Sequence, residues 1–194
     1  MIPAYIKSIL VGFGCGLCLL AGSATAASVY FDSTSIGASV GDTVTMELWG
    51  DFSDEPTLGG GLDIFYDDTV LDFLSWDTSG SGFFLDPAFS RNPDELAGEL
   101  EGFAFGNFGG LSGIAKIGSL TFEAIGAGDF IMSMAVTDDP LKGGDFVSAM
   151  TYGVQTITFG SSDISVSAVP VPAAIWLFGS GLIGLAGIMR RRNG

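Results

Sequence analysis

Between Ala27 and Ala168 no apolar pattern is sustained at 3.6-residue spacing, whereas short alternating or β-rich runs recur between clusters of Gly, Asp and Ser. Without a helical stripe to bury, this stretch should be mostly strand. Thr43–Trp49 alternates cleanly, with Val44, Met46 and Leu48 on one face, and Phe130, Met132, Met134 and Val136 repeat the pattern. The expected strands are Val29–Phe31, Thr43–Trp49, Gly61–Tyr66, Val70–Trp76, Gly102–Phe105, Ile114–Phe122, Phe130–Val136, Val154–Phe159 and Ile164–Val166. About nine short strands without crossover helices predict an all-β fold, an antiparallel jelly-roll β-sandwich. Pro87–Glu101 reads as a short helix or a long loop, and the glycine-rich Gly106–Gly113 as a flexible loop.

Of 194 residues, 30 are glycine, about twice the usual ~7% share, as a turn-rich chain requires. Histidine is absent, and the two cysteines, Cys15 and Cys18, lie in an apolar N-terminal run. The 27–168 body therefore lacks the residues for Ser-His-Asp or Cys-His catalysis, His/Cys zinc sites or disulfides. It holds three basic residues, Arg91, Lys116 and Lys142, against all 22 acidic ones, a net charge of −19. Nucleic acid is excluded as its partner, because phosphate binding needs clustered Lys and Arg. The acids form a solvated surface or supply oxygen ligands to a hard cation such as calcium. Two carboxylates can hydrolyse a glycosidic bond without histidine, but nothing in the sequence marks such a pair, and no enzyme is expected.

The two ends read as addresses. Lys7, the apolar run Ile9–Ala21 and the small residues ending at Ala24-Thr25-Ala26 form a signal peptide over 1–26. At the other end the uncharged run Ala173–Met189 follows Pro170 and Pro172 and precedes Arg190, Arg191 and Arg192. As a helix it covers about 26 Å, just enough for a transmembrane segment, and the arginine cluster sets its topology by the positive-inside rule.

The segment from Val169-Pro170-Val171-Pro172-Ala173 through the apolar run to Arg190–Arg192 resembles a PEP-CTERM sorting signal in its VPLPA-type variant. The Glu of Pro-Glu-Pro is absent, and Val171 stands where the variant has Leu. The resemblance, over 169–194, implies recognition and cleavage by an exosortase-type membrane protease. It also implies a Gram-negative bacterium, export across its inner membrane, a transient anchor there, and delivery to the cell surface or the exopolysaccharide matrix.

Within the body, Val40-Gly41-Asp42-Thr43-Val44-Thr45, Gly61-Leu62-Asp63-Ile64-Phe65-Tyr66-Asp67-Asp68-Thr69-Val70-Leu71-Asp72-Phe73 and Ile117–Ala124 are similar to the cohesin domain pattern. That resemblance implies a nine-stranded jelly roll related to carbohydrate-binding modules, and a surface role binding dockerin helices or scaffolds. Together the two imply a non-catalytic exported surface or matrix protein binding polysaccharide or a protein partner. The other reading is a purely structural envelope or matrix protein without a specific ligand.

Four aromatic residues, Trp49, Tyr66, Trp76 and Tyr152, are candidate sugar- or partner-binding rings, Trp49 first because the strand alternation turns it away from Val44, Met46 and Leu48. Phe83, Phe84, Phe89, Phe103, Phe105 and Phe108 crowd a loop-rich region that can form an apolar, protein-binding patch. Asp67, Asp68, Asp138 and Asp139 are the candidate calcium ligands, both pairs also reading as turn residues. No other cofactor is expected.

Overall fold

Val44, Met46 and Leu48 are buried while Thr43 and Thr45 face solvent, as their alternation requires, but they belong to a far longer element than the sequence suggests. The computed structural model describes residues 27–169 and 177–183. Its strands are β1 (Ala27–Phe31), β2 (Ser35–Ser39), β3 (Thr43–Phe65), β4 (Leu71–Asp77), β5 (Asp94–Leu96), β6 (Glu99–Ala124), β7 (Gly128–Val136), β8 (Val147–Ser148), β9 (Ile157–Phe159) and β10 (Ser162–Ser167). A short 3-10 turn, Pro140–Lys142, follows β7.

Strands β3 and β6 form one antiparallel ribbon from Thr43↔Glu123 to Phe65↔Glu99, with register shifts near Leu48, Phe52, Thr57 and Leu62. Such irregularities bend and twist a ribbon, so its two halves serve different layers. The first half of β3 lies between β1 and β6, with β9 beyond β1 and β4 beyond β6. The second half pairs with β7, whose beginning pairs with β10 and through it with β2. Val29, Met46, Leu48 and Phe122 meet Leu62, Ile64, Met132 and Ile164 in one hydrophobic core.

The sandwich is therefore not wholly antiparallel: β1 with β9 and β10 with β2 run parallel. Both loop readings are also corrected. Within Pro87–Glu101, β5 and β6 make a tight hairpin about Ala97-Gly98, where Gly98 takes a φ of +74°. Gly106–Gly113 lies inside β6, held by pairing to β3.

The chain leaves the sandwich at a defined pole. Val40 N–H donates to the Ser167 carbonyl, Gly41 N–H to that of Ala124, and Ile125 N–H to that of Val70. The end of β10 thus shares this exit pole with the turns before β3 and after β6. From Thr43 to Phe52, β3 runs toward the opposite, far pole, about 30 Å at ~3.3 Å per residue.

The signal peptide reading (1–26), Pro170–Ala173 of the sorting motif and Arg190–Arg192 lie outside the described residues, with Val169 described and exposed. Of the expected membrane run, residues 177–183 are described and helical. No helix among the described residues is long and apolar enough to cross a membrane.

Candidate functional site

The six phenylalanines of the loop-rich region divide evenly. Phe83, Phe103 and Phe105 are buried, whereas Phe84, Phe89 and Phe108 are exposed, Phe108 to 77%. Local hydrogen bonds produce the split. Gly82 N–H and the Ser81 hydroxyl both donate to the Lys116 carbonyl, and Ser81 Oγ accepts from Phe83 N–H. The chain is pinned to β6, with Phe83 turned in against Phe52 at 5.6 Å and Phe84 turned out. Asp86 N–H then donates to the Gly106 carbonyl, and the Asp86 carbonyl accepts from Phe89 and Ser90. That turn sets Phe89 edge-on to Phe108, centroids 4.3 Å apart. Asn107 braces the shelf, donating to the Phe84 carbonyl and accepting from Gly109 N–H.

Beneath the shelf opens a cleft of about 200 Å³ at the far pole, lined by Leu58, Phe89, Phe105, Phe108, Asp145 and Val147 among others. Val147 on its lining opens the 147–154 loop, which is closed by the Val147↔Val154 bridge and by Ser148 N–H to the Gly153 carbonyl. Ser148 Oγ accepts from Met150 and Thr151, and buried Gln155 ties the loop to the Glu55 carbonyl. Met150, Tyr152 and Val154 project into solvent, Tyr152 exposed to 75%. At φ +57°, Tyr152 is the one non-glycine among the described residues in the left-handed region, a conformation that surrounding structure must enforce. A Cβ on Gly110 would lie 3.1 Å from Ala149 Cβ, so the loop packs against β6.

The four candidate rings do not form one platform. Trp49 faces outward, half-buried, its Nε1–H donating to Glu47 Oε2 at 3.0 Å while Lys116 bonds Oε1 at 3.1 Å. These bonds, the lysine's first, hold the Glu47 carboxyl below its ordinary range. Tyr66 is corrected to a core residue, 8% exposed and packed on Phe122 at 5.3 Å. Trp76 is likewise committed to packing, edge-on to Phe103 at 5.1 Å. Tyr152 is exposed on the 147–154 loop.

The four candidate calcium ligands occupy two separate turns. Asp67 Oδ1 accepts from the backbone and hydroxyl of Thr69, which keeps its carboxyl below the ordinary range. Asp139 caps the 3-10 turn by accepting from Leu141 N–H. Asp67 and Asp68 sit in the turn at the exit pole, whereas Asp138 and Asp139 follow the far end of β7, so the two pairs do not converge. Among the described residues no group of three or more acidic side chains could hold a metal ion. Leu58, Asp145 and Val147 also line the cleft, and no alternation or motif marks them in the sequence.

No protein-family profile matches the chain, and no curated protein matches it. Solved structures do. The seventh ScaB type I cohesin from Pseudobacteroides cellulosolvens is similar at TM-score 0.58 and 15% identity, covering 76% of this chain and 96% of that one. A structure of a type I cohesin–dockerin complex from Clostridium thermocellum matches at 0.55 and 14%, covering 74% and 95%. A type III cohesin module from the ScaE cell-surface anchoring scaffoldin of Ruminococcus flavefaciens matches at 0.50 and 14%, covering 73% and 88%. The fold is cohesin-like.

Proposed function

We propose that this chain is a non-catalytic, exported surface module that binds a protein partner at its far pole. The observation that carries the reading is the apolar cleft lined by Leu58, Phe89, Phe105, Phe108 and Val147, with the Phe108 ring exposed to 77% at its edge. An apolar cleft edged by exposed aromatic rings marks an interaction site. Phe beside Leu and Val suits a protein surface better than a sugar ring, which would ask for polar partners beside each aromatic face. The cohesin-like fold supports the same reading, since one matched structure is a cohesin–dockerin complex.

Export and processing follow from the two ends. The signal sequence would take the body across the inner membrane, and the Val169–Ala173 motif with Arg190–Arg192 would present the tail to an exosortase-type protease. Surface or matrix delivery follows.

Side-by-side peptide and glycan arrays, probed with the full chain and with Phe108→Ser, test the binding reading. Binding to peptides and not glycans, weakened in the variant, is expected; glycan binding indifferent to Phe108 overturns it. Mass spectrometry of surface-recovered protein tests processing: peptides spanning Trp176–Arg190 should be missing, and their presence means a permanent anchor.

A further inference from the structure

We infer that the far-pole cleft takes an apolar peptide segment flanked by Lys or Arg, approaching from the side opposite the chain's C-terminal exit. The inference rests on the protein-binding reading above and adds the partner's chemistry and its direction.

The acidic charge is local as well as global. Asp145 lines the cleft and is exposed, Asp86 sits in the turn that carries Phe89, and Glu55 lies at the base of the 147–154 loop. Against these stands Arg91, whose backbone bridges to Ala104 beside Phe105. Lys116 is paired with Glu47, and Lys142 with Asp94 and Glu101. An apolar floor with one lining carboxylate, in a body of net charge −19, favours a ligand whose anchor is hydrophobic and whose flanks are cationic, because such charge steers encounter and rejects like-charged partners. A second copy of this chain is the wrong occupant on the same ground: two bodies of charge −19 repel.

Direction follows from topology. The chain leaves at Ser167–Val169, beside Val40 and Ala124, while the cleft lies beyond Phe52 and around Gly59, about 30 Å away along β3. A chain held through its C-terminal side therefore points the cleft away from whatever holds it.

The test is selection of a random displayed peptide library on the full-length chain in detergent at low ionic strength, followed by affinity measurement. Selected peptides should pair an aromatic or aliphatic anchor with excess Lys and Arg. Phe108→Ser should weaken them about tenfold, the scale of a lost anchor, with Phe89→Ser, at the ring edge-on to Phe108, as a second substitution. Asp86→Asn with Asp145→Asn should weaken them severalfold and flatten their salt dependence. Apolar peptides selected without basic excess overturn the inference while leaving the protein-binding reading intact; peptides indifferent to both phenylalanines overturn both. Phe108-dependent self-association, or Phe108-dependent binding to phosphatidylcholine vesicles, would assign the cleft to a second copy or to lipid and overturns the inference as well.

Discussion

Gly59 and Gly106 face each other as register partners on β3 and β6, so closely that a Cβ on Gly59 would stand 2.4 Å from Gly106 Cα and 2.1 Å from the Phe105 carbonyl oxygen. On its other edge Gly59 pairs with Val147 of β8. This pinch forms the cleft floor and brings Phe105, Val147 and Leu58 together beneath Phe108. Gly59 also has φ +116°, a conformation that side chains resist. Gly59→Ala should therefore cost about 3 kcal/mol or more in denaturant unfolding, strain and backbone overlap combining. Gly153→Ala, whose Cβ would meet nothing nearer than 3.5 Å, should cost less than about 1 kcal/mol. Equal losses would contradict the pinch.

Phe105 and Phe108 are close in sequence and opposite in fate. Phe105→Ala empties a buried site packed edge-on against Phe146 and should cost about 3–5 kcal/mol. Phe108→Ala removes an exposed ring and should change stability by about 0.5 kcal/mol at most while weakening partner binding. Unfolding curves of both variants check the division, and a large stability loss at Phe108 would make that ring structural.

Asp94 and Glu101 are directly opposite on β5 and β6, a like-charge pair that would push the hairpin apart. Lys142 bridges them, and their hydrogen bonds raise its proton affinity while Asp94 is held below its ordinary range. Lys142→Met should loosen the hairpin, seen as faster hydrogen exchange at Glu95 to Leu100 with slower change elsewhere. Unaltered exchange there would mean the bridge is idle.

Burial pushes the Tyr66 phenol up to about 12, with Glu95, Asp68 and Asp72 adding to the shift. Folding thus tightens its hold on the proton. The stability this supplies is complete below pH 10, the phenol's ordinary value, and is lost as pH rises toward 12. Tyr66→Phe should match the parent within about 1 kcal/mol at neutral pH and lose less between pH 10 and 12, by up to about 2 kcal/mol. Lys142, whose proton affinity Asp94 and Glu101 raise, contributes equally in both proteins and cancels in the difference. Parallel melting profiles across that range would place the phenol in water.

The β class and the inward faces of β3 and β7 were legible because alternation with one face buried is a local property, visible at Val44, Met46 and Leu48. The joining of Thr43–Trp49 to Gly61–Tyr66 was not. Pairing with β6 carries the strand through Asp51–Gly60, where polar residues and glycines look like a loop until a partner strand satisfies their backbone. The parallel placement of β2 on β10 was likewise invisible in Ser35-Ile36-Gly37-Ala38-Ser39, since its partner lies over a hundred residues away. The sequence reading located the crowd of phenylalanines, but which of them faced out depended on hydrogen bonds from Ser81, Asp86 and Asn107 to distant backbone. Tyr66 looked like a platform ring because composition does not distinguish a ring at a strand end from one folded over Phe122.

Hydrogen–deuterium exchange of the full-length chain, with and without a selected basic-flanked apolar peptide, tests the central claim most directly. Protection should be confined to the far pole, at residues 84–89, 106–111 and 145–154, with little change on the outer face of Thr43–Trp49. Protection centred on Thr45, Glu47 and Trp49, with the far pole unaltered, would contradict it.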